Sequence, residues 1–289
     1  MFPIIRGQRY GFIPDPLRQI VCSPVPKLLN LADNQHSLMR LTILSILLLI
    51  NTLQFSFAQS GVKDSVIRFP MIGINYGLYV PGGDLDERFG LTSMLNGNFL
   101  FKTNKNLLWG FSGGFLFGDD IKEPGLMSSI KNPEGYILGL DGLYADVRTY
   151  ERGYYVNAVI GKVFSFKKPN PNSGLMIFGG PGFIQHKIRI ESIGNTVPAL
   201  RGDYVKGYDR LTNGIALQEF IGYVYFSNRQ LINFYAGFEF IQGFTKGRRD
   251  YNFDNPDDPN GNRIDLLYGF RAGWVLPLYK KKPAAYYFY

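Results

Sequence analysis

The sequence predicts an all-β fold, an antiparallel up-and-down transmembrane β-barrel of eight strands, and three observations predict it. The first is the segment Ile264 to Tyr279, where Leu266, Tyr268, Phe270, Ala272, Trp274, Leu276 and Leu278 alternate with Gly269, Arg271 and Gly273. Successive side chains of a strand point to opposite faces, so the bulky apolar set covers one surface and the small or charged set the other. A barrel wall that meets lipid has this pattern, apolar outward and polar inward. The second is composition: 24 Phe and 19 Tyr against 2 Trp, with 34 Gly, which suits strands ringed by aromatics with closely packed backbones. The third is a mean hydropathy of −0.07. That value excludes a bundle of spanning helices, each of which needs about 20 consecutive apolar residues.

The N-terminal region precedes this barrel. Residues 1–38 are Pro-rich and aperiodic and read as an over-extended reading frame without ordered structure, with Met39 as the start. Met39-Arg40, the apolar run Leu41 to Ile50 and the small-x-small site Ser56-Phe57-Ala58 form the three parts of a cleavable signal peptide, residues 39–58. The run is too short for a membrane anchor. Residues 59–68 then lead in from the periplasm, residues 69–289 form the barrel, and export implies a Gram-negative outer membrane. The one cysteine, Cys22, lies upstream of the cleavage point, so the exported chain has neither a disulfide nor a cysteine to carry a lipid. The formal charge of +8 is dispersed, which points to loop and rim charge and away from nucleic acid.

The strands follow in order. The first, Phe69 to Val80, sets Ile72, Ile74, Tyr76, Leu78 and Val80 against Gly73, Asn75 and Gly77. The second, Leu91 to Phe101, places Leu95, Phe99 and Phe101 opposite Asn96 and Asn98, and the third, Leu107 to Gly118, lines up Trp109, Phe111, Phe115 and Phe117. The fourth, Gly153 to Phe166, opposes Tyr154, Val156, Ala158 and Ile160 to Tyr155, Asn157 and Gly161. The fifth, Gly174 to Ile190, contains Gly179-Gly180-Pro181-Gly182, and the missing proline donor predicts a bulge or bend there. The sixth, Asn213 to Phe226, alternates poorly because Gln218 and Glu219 are adjacent and must face opposite ways. The seventh, Leu231 to Phe244, sets Ile232, Phe234, Ala236, Phe238 and Phe240 against Asn233, Tyr235, Gly237 and Glu239; the eighth is the segment described first.

The connections alternate in length. Lys102 to Asn106, Lys167 to Ser173 and Ser227 to Gln230 are short and polar, whereas Pro81 to Gly90, Asp119 to Arg152, Glu191 to Thr212 and Thr245 to Arg263 are long. Short periplasmic turns and long extracellular loops are the asymmetry of outer-membrane barrels. The stretch Tyr136 to Leu140 adds a ninth and tenth strand if it pairs as a hairpin, so a ten-stranded barrel stays open.

The signal peptide ending Phe57-Ala58-Gln59, the Tyr/Gly/Phe strands and the Leu-Pro-Leu-Tyr-Lys segment at 276–280 before an aromatic terminus resemble the small outer-membrane β-barrel proteins of Bacteroidota. That group includes PorT-like and OmpA/OmpX-like barrels. The resemblance spans residues 59–289 and concerns architecture, since its members share a pattern and no catalytic motif. It implies insertion by the barrel-assembly machinery, with Tyr289 as the terminal aromatic signal. Lys280, Lys281, Lys282 and Pro283 depart from the pattern by separating that aromatic from the last strand.

Three groups of residues carry candidate chemistry. Glu239 and Arg271 fall on inward positions of neighbouring strands, with Glu219 as a third member, and charges buried in a barrel must pair. The structural reading is a plug of paired charges and the functional one a gated polar path. Asp258, Asn260, Asn262 and Asp265, with Gly261 at the turn, have the alternate spacing of a calcium loop, against the favoured reading of a solvated Asx-turn loop. Lys187, Arg189, Lys246, Arg248 and Arg249 are placed to contact lipopolysaccharide phosphates near the rim. Enzyme readings are weaker, because downstream of the signal peptide the sequence offers one histidine, His186, read as a rim residue, with Ser192 nearby. No cofactor other than calcium is suggested. The expected function is a non-enzymatic barrel with a side-chain-filled lumen, an accessory or structural subunit of a secretion or uptake assembly in contact with lipid and a protein partner. The alternatives are a stand-alone adhesive or structural barrel, a small-solute channel and, last, a lipid-modifying enzyme.

Overall fold

The structure is a computed structural model and describes residues 63, 65–166, 168–228, 232–255 and 261–279. Residues 39–58, expected to be a signal peptide, the region upstream of them and the terminal Tyr286-Tyr287-Phe288-Tyr289 lie outside the described residues. Eight strands follow in chain order: β1 (Phe69–Gly83), β2 (Thr92–Lys102), β3 (Leu107–Gly118), β4 (Val147–Ser165), β5 (Gly174–Ser192), β6 (Thr212–Phe226), β7 (Asn233–Gly247) and β8 (Asn262–Pro277). Each pairs antiparallel with the next and β8 closes onto β1. Closure leaves no sheet edge, which in lipid would be a row of unsatisfied N–H and C=O groups.

Alternation sets the two faces of the wall, and the pairing carries one phase around the ring. Inward Gly73 stands opposite Asn98, Asn98 opposite Ser112, Ser112 opposite Asn157 and Asn157 opposite Gly182. The intervening positions turn Ile74, Phe99, Phe111 and Val156 outward. Phe238 and Ile160 are 68% and 71% exposed, and a continuous apolar wall of this kind is stable only against hydrocarbon. Two aromatic pairs stand near the short-turn end of that wall, Phe101 with Trp109 at 5.4 Å and Tyr225 with Phe234 at 5.3 Å. Trp274 stands opposite Phe234 and extends the ring to β8.

The structure changes three readings of the strands. β5 has no bulge: it pairs with β6 without interruption from Gly174 opposite Val224 to His186 opposite Thr212. Against β4 it keeps one register on both sides of the proline, Asn157 with Gly182 and Ile160 with Gly179. The missing Pro181 donor therefore costs ladder bonds on the β4 side alone, and no residue is inserted. Gly180 fits this approach, since a Cβ there would collide with the Ala158 carbonyl oxygen. β4 also starts earlier than its alternation suggested, at Val147. Tyr136 to Leu140 adds no strand to the barrel, only isolated bridges of Lys131 with Ile137 and Leu138 with Tyr144.

Inward side chains fill the barrel in three layers. Phe69, Met71, Leu100, Val159, Met176 and Val224 form an apolar cluster toward the short turns. Tyr79, Met94, Leu116, Ile184, Ile188 and Leu267 form another toward the long loops, which add Leu85, Phe89, Leu126, Met127 and Leu200 to it. Between the two lies a polar layer.

Candidate functional site

The polar layer is built around Arg271. Its β8 position stands opposite Gly77 of β1 and Gly237 of β7, and these glycines leave room for the aromatic rings packed beside it. A Cβ at Gly77 would meet the Tyr79 ring at 2.6 Å, and one at Gly237 the Phe220 ring at 2.8 Å. Arg271 Nη1 donates to Glu239 Oε1 at 2.5 Å and Nη2 to the Tyr235 hydroxyl at 3.2 Å. Phe178, Phe220 and Tyr235 surround the cation with ring centroids 5.3, 5.3 and 5.5 Å away, a cation–π arrangement that partly replaces lost water.

Glu239 collects the remaining donors. The Tyr79 hydroxyl donates to its Oε2 and Gln218 Nε2 to its Oε1, and Gln218 Oε1 accepts from Asn157 Nδ2. Asn98 Nδ2 donates to the Tyr235 hydroxyl at 2.9 Å. One connected network thus runs across the lumen from β2 to β4. On the β1–β3 side, Asn75, Asn96 and Ser112 are buried without a protein hydrogen bond, the kind of group that ordered water satisfies in protein interiors.

Glu219 does not join this network. Gln218 takes the inward position that the sequence reading gave to Glu219, because Phe220 stands opposite inward Glu239 and fixes the phase of β6. Glu219 is exposed on the outer wall, opposite Phe240.

The long-loop mouth is capped by a second charged chain. Arg88 Nε donates to Glu123 at 2.8 Å, Arg210 Nε to the other Glu123 oxygen at 3.0 Å, and Arg210 Nη2 to Asp254 at 2.8 Å. These four residues come from the four long connections, and the Asp254 carboxylate also accepts from the Met127 amide at 2.8 Å. Burial lowers the Arg88 pKa against the opposing effect of Glu123. A polar cavity of about 360 Å³ lies among these loops. The short-turn mouth is closed from the other side: Lys102 Nζ donates to the Ile67 carbonyl at 3.1 Å and to Asn172 Oδ1 at 2.8 Å, while Asn172 Nδ2 donates to the Ser65 carbonyl at 2.9 Å.

The other predicted residues are placed as follows. Asp265 points into the lumen, where it accepts from Thr245 and lies 2.9 Å from His186 Nε2. Asn262 is exposed on the opposite face of β8, so these two do not share a site; Asp258 and Asn260 lie outside the described residues. His186 is not a rim residue: it is fully buried under Phe89, because its even position shares the inward phase of Ile184 and Ile188. Ser192 Oγ makes no hydrogen bond to it. The basic set gathers at the long-loop ends of β5 to β7. Arg249 forks onto Asp209 at 2.7 and 2.5 Å, which raises its pKa. Lys187 lies 3.7 Å from Asp209, Arg248 bonds Asn213 at 2.7 Å, Arg189 pairs with Glu191 at 2.6 Å, and Lys246 is exposed.

Sequence reasoning missed Lys102, Arg88, Glu123 and Arg210. Lys102 was accessible, since it continues the inward phase of Asn96 and Asn98 on β2. The three loop residues carry no periodic signal.

No protein-family model matches the chain, and no curated protein sequence does. Among solved structures, Neisserial surface protein A is similar with a TM-score of 0.36 at 12% identity, over 72% of this chain and 97% of its own. Ail, the attachment invasion locus protein of Yersinia pestis, gives 0.33 at 13%, over 72% and 99%. The N-terminal β-barrel domain of Pseudomonas aeruginosa OprF gives 0.32 at 9%, over 71% and 96%. These likenesses concern the barrel fold and carry nothing about activity.

Proposed function

We propose that the protein is a non-enzymatic outer-membrane barrel that acts through its exterior, as an accessory or structural subunit of a cell-envelope assembly for secretion or uptake. The observation that carries this reading is the closed lumen: two apolar layers, the Arg271–Glu239 network and caps at both mouths leave the interior to packing. An eight-stranded barrel has an interior just wide enough to be filled in this way. What remains available to other molecules is the wall and the loops. Burial of His186 removes the one described histidine from any substrate, which supports a non-enzymatic role. Lys246, Arg248 and Lys187 are the groups that would meet lipopolysaccharide phosphates, and the barrel-assembly machinery would insert the chain.

Purification from the native envelope in mild detergent tests the reading. A stoichiometric protein partner supports it; a monodisperse monomer contradicts it and supports the second reading, a stand-alone adhesive barrel. One observation favours that second reading. The longest loop carries an apolar tip, with Tyr136 stacked on Tyr144 at 4.6 Å and Leu140 and Leu143 71% and 67% exposed.

A further inference from the structure

The outward position of Glu219 conflicts with the wall around it. Along β6 the outward residues are Ile215, Leu217, Glu219, Ile221 and Tyr223, so the carboxylate sits in the middle of the apolar belt with two apolar neighbours on each side. Among the described residues no hydrogen bond or ion pair reaches it. The only other acidic side chain facing outward from a described strand is Glu191, at the long-loop end of β5 and paired with Arg189. An ionisable group in hydrocarbon is unfavourable without a partner, and lipid tails supply none. Long basic side chains at the rim reach headgroups by snorkelling; a short carboxylate at mid-strand does not.

The surface around Glu219 is shaped as a groove of about 640 Å³, walled by Ile177, Ile221, Phe238, Phe240 and Tyr268. Its floor at Gly179 lacks a side chain, and Phe240 and Tyr268 stack at 4.7 Å to form one side. We propose that this groove docks a membrane-embedded segment of a different protein that presents a Lys or Arg side chain to Glu219. Charge decides the occupant. A two-fold contact between copies of this chain would set Glu219 against Glu219, and the outward cation nearest the belt, Lys162, lies toward the short-turn end of β4, at another depth. The proposal rests on the accessory-subunit reading and assigns it a surface.

The test replaces Phe240 with a photo-crosslinking benzoylphenylalanine in cells, with Phe111 on the opposite wall as control, and sequences the crosslinked peptide. The proposal expects a single protein adduct from position 240 and none from 111, with a Lys or Arg inside the partner's membrane segment. Glu219→Leu should reduce the adduct at least tenfold, and Glu219→Lys combined with an acidic residue at the partner's cation should restore it. An adduct only to lipid or to a second copy of this chain overturns the proposal, as does an adduct that Glu219→Leu leaves unchanged. Co-purification separates the two claims: a partner retained equally by wild type and Glu219→Leu defeats the groove and keeps the accessory role, whereas no partner with wild type defeats the accessory role. The isolated Glu219→Leu barrel should melt no lower than wild type in detergent; a lower melting temperature would assign the carboxylate to the fold and overturn the proposal.

Discussion

Arg271 and Glu239 show what a buried pair contributes in a narrow barrel. Against well-packed apolar residues of similar size such a pair is close to neutral, but either member alone is an uncompensated buried charge. Glu239→Leu is therefore expected to destabilise the refolded barrel by about 3–5 kcal/mol, read by urea unfolding in lipid from the Trp109 and Trp274 fluorescence. Adding Arg271→Met should recover most of that loss; two additive losses would show that the pair is not coupled. This pair was legible in the sequence because both residues sit on strands with clean alternation. Glu219 was not, since either Gln218 or Glu219 can face inward on composition alone. The phase of Leu217 and Ile221, which turn outward, places Glu219 on the same face. A spin label in the acyl chains should quench a fluorophore attached at Glu219→Cys and leave one at Gln218→Cys untouched; equal quenching would refute the assigned phase.

At the scale of elements, the strands follow from a period of two, whereas the loops depend on contacts that no period announces. Arg88 and Glu123 are separated by 35 residues, and Glu123 and Arg210 by 87, so their meeting depends on the barrel bringing its long connections to one end. The β5 proline shows a related effect: its missing donor predicts a bulge or bend, and the ladder with β6 on the other side holds the register so that no residue is inserted. Glu123 bonds two arginines and so joins its own loop to those of Arg88 and Arg210, and Arg210 extends the link to Asp254 in the fourth. Glu123→Ala should raise amide exchange in residues 84–91 and 119–146 by roughly thirty-fold, a local loss of about 2 kcal/mol. Exchange in β1 to β8 should stay unchanged. Spread of the effect into the strands would mean that the cap and the barrel unfold together.

For the whole molecule, an inverted wall, short turns at one end and long loops at the other specify a closed eight-stranded barrel whose inside is a core. The fold was almost entirely readable from side-chain alternation, because lipid outside and packing inside impose one pattern on every strand. The identity of what the exterior meets was not readable, because recognition rests on isolated features such as Glu219 and the tip at Leu140, each placed by the fold and by no repeat. A lumen filled in this way is expected to carry no ion current. The decisive measurement is the current across a planar lipid bilayer containing the purified barrel. The closed lumen predicts a baseline without discrete steps at applied voltage. Reproducible unitary conductance steps from the wild-type protein would contradict it.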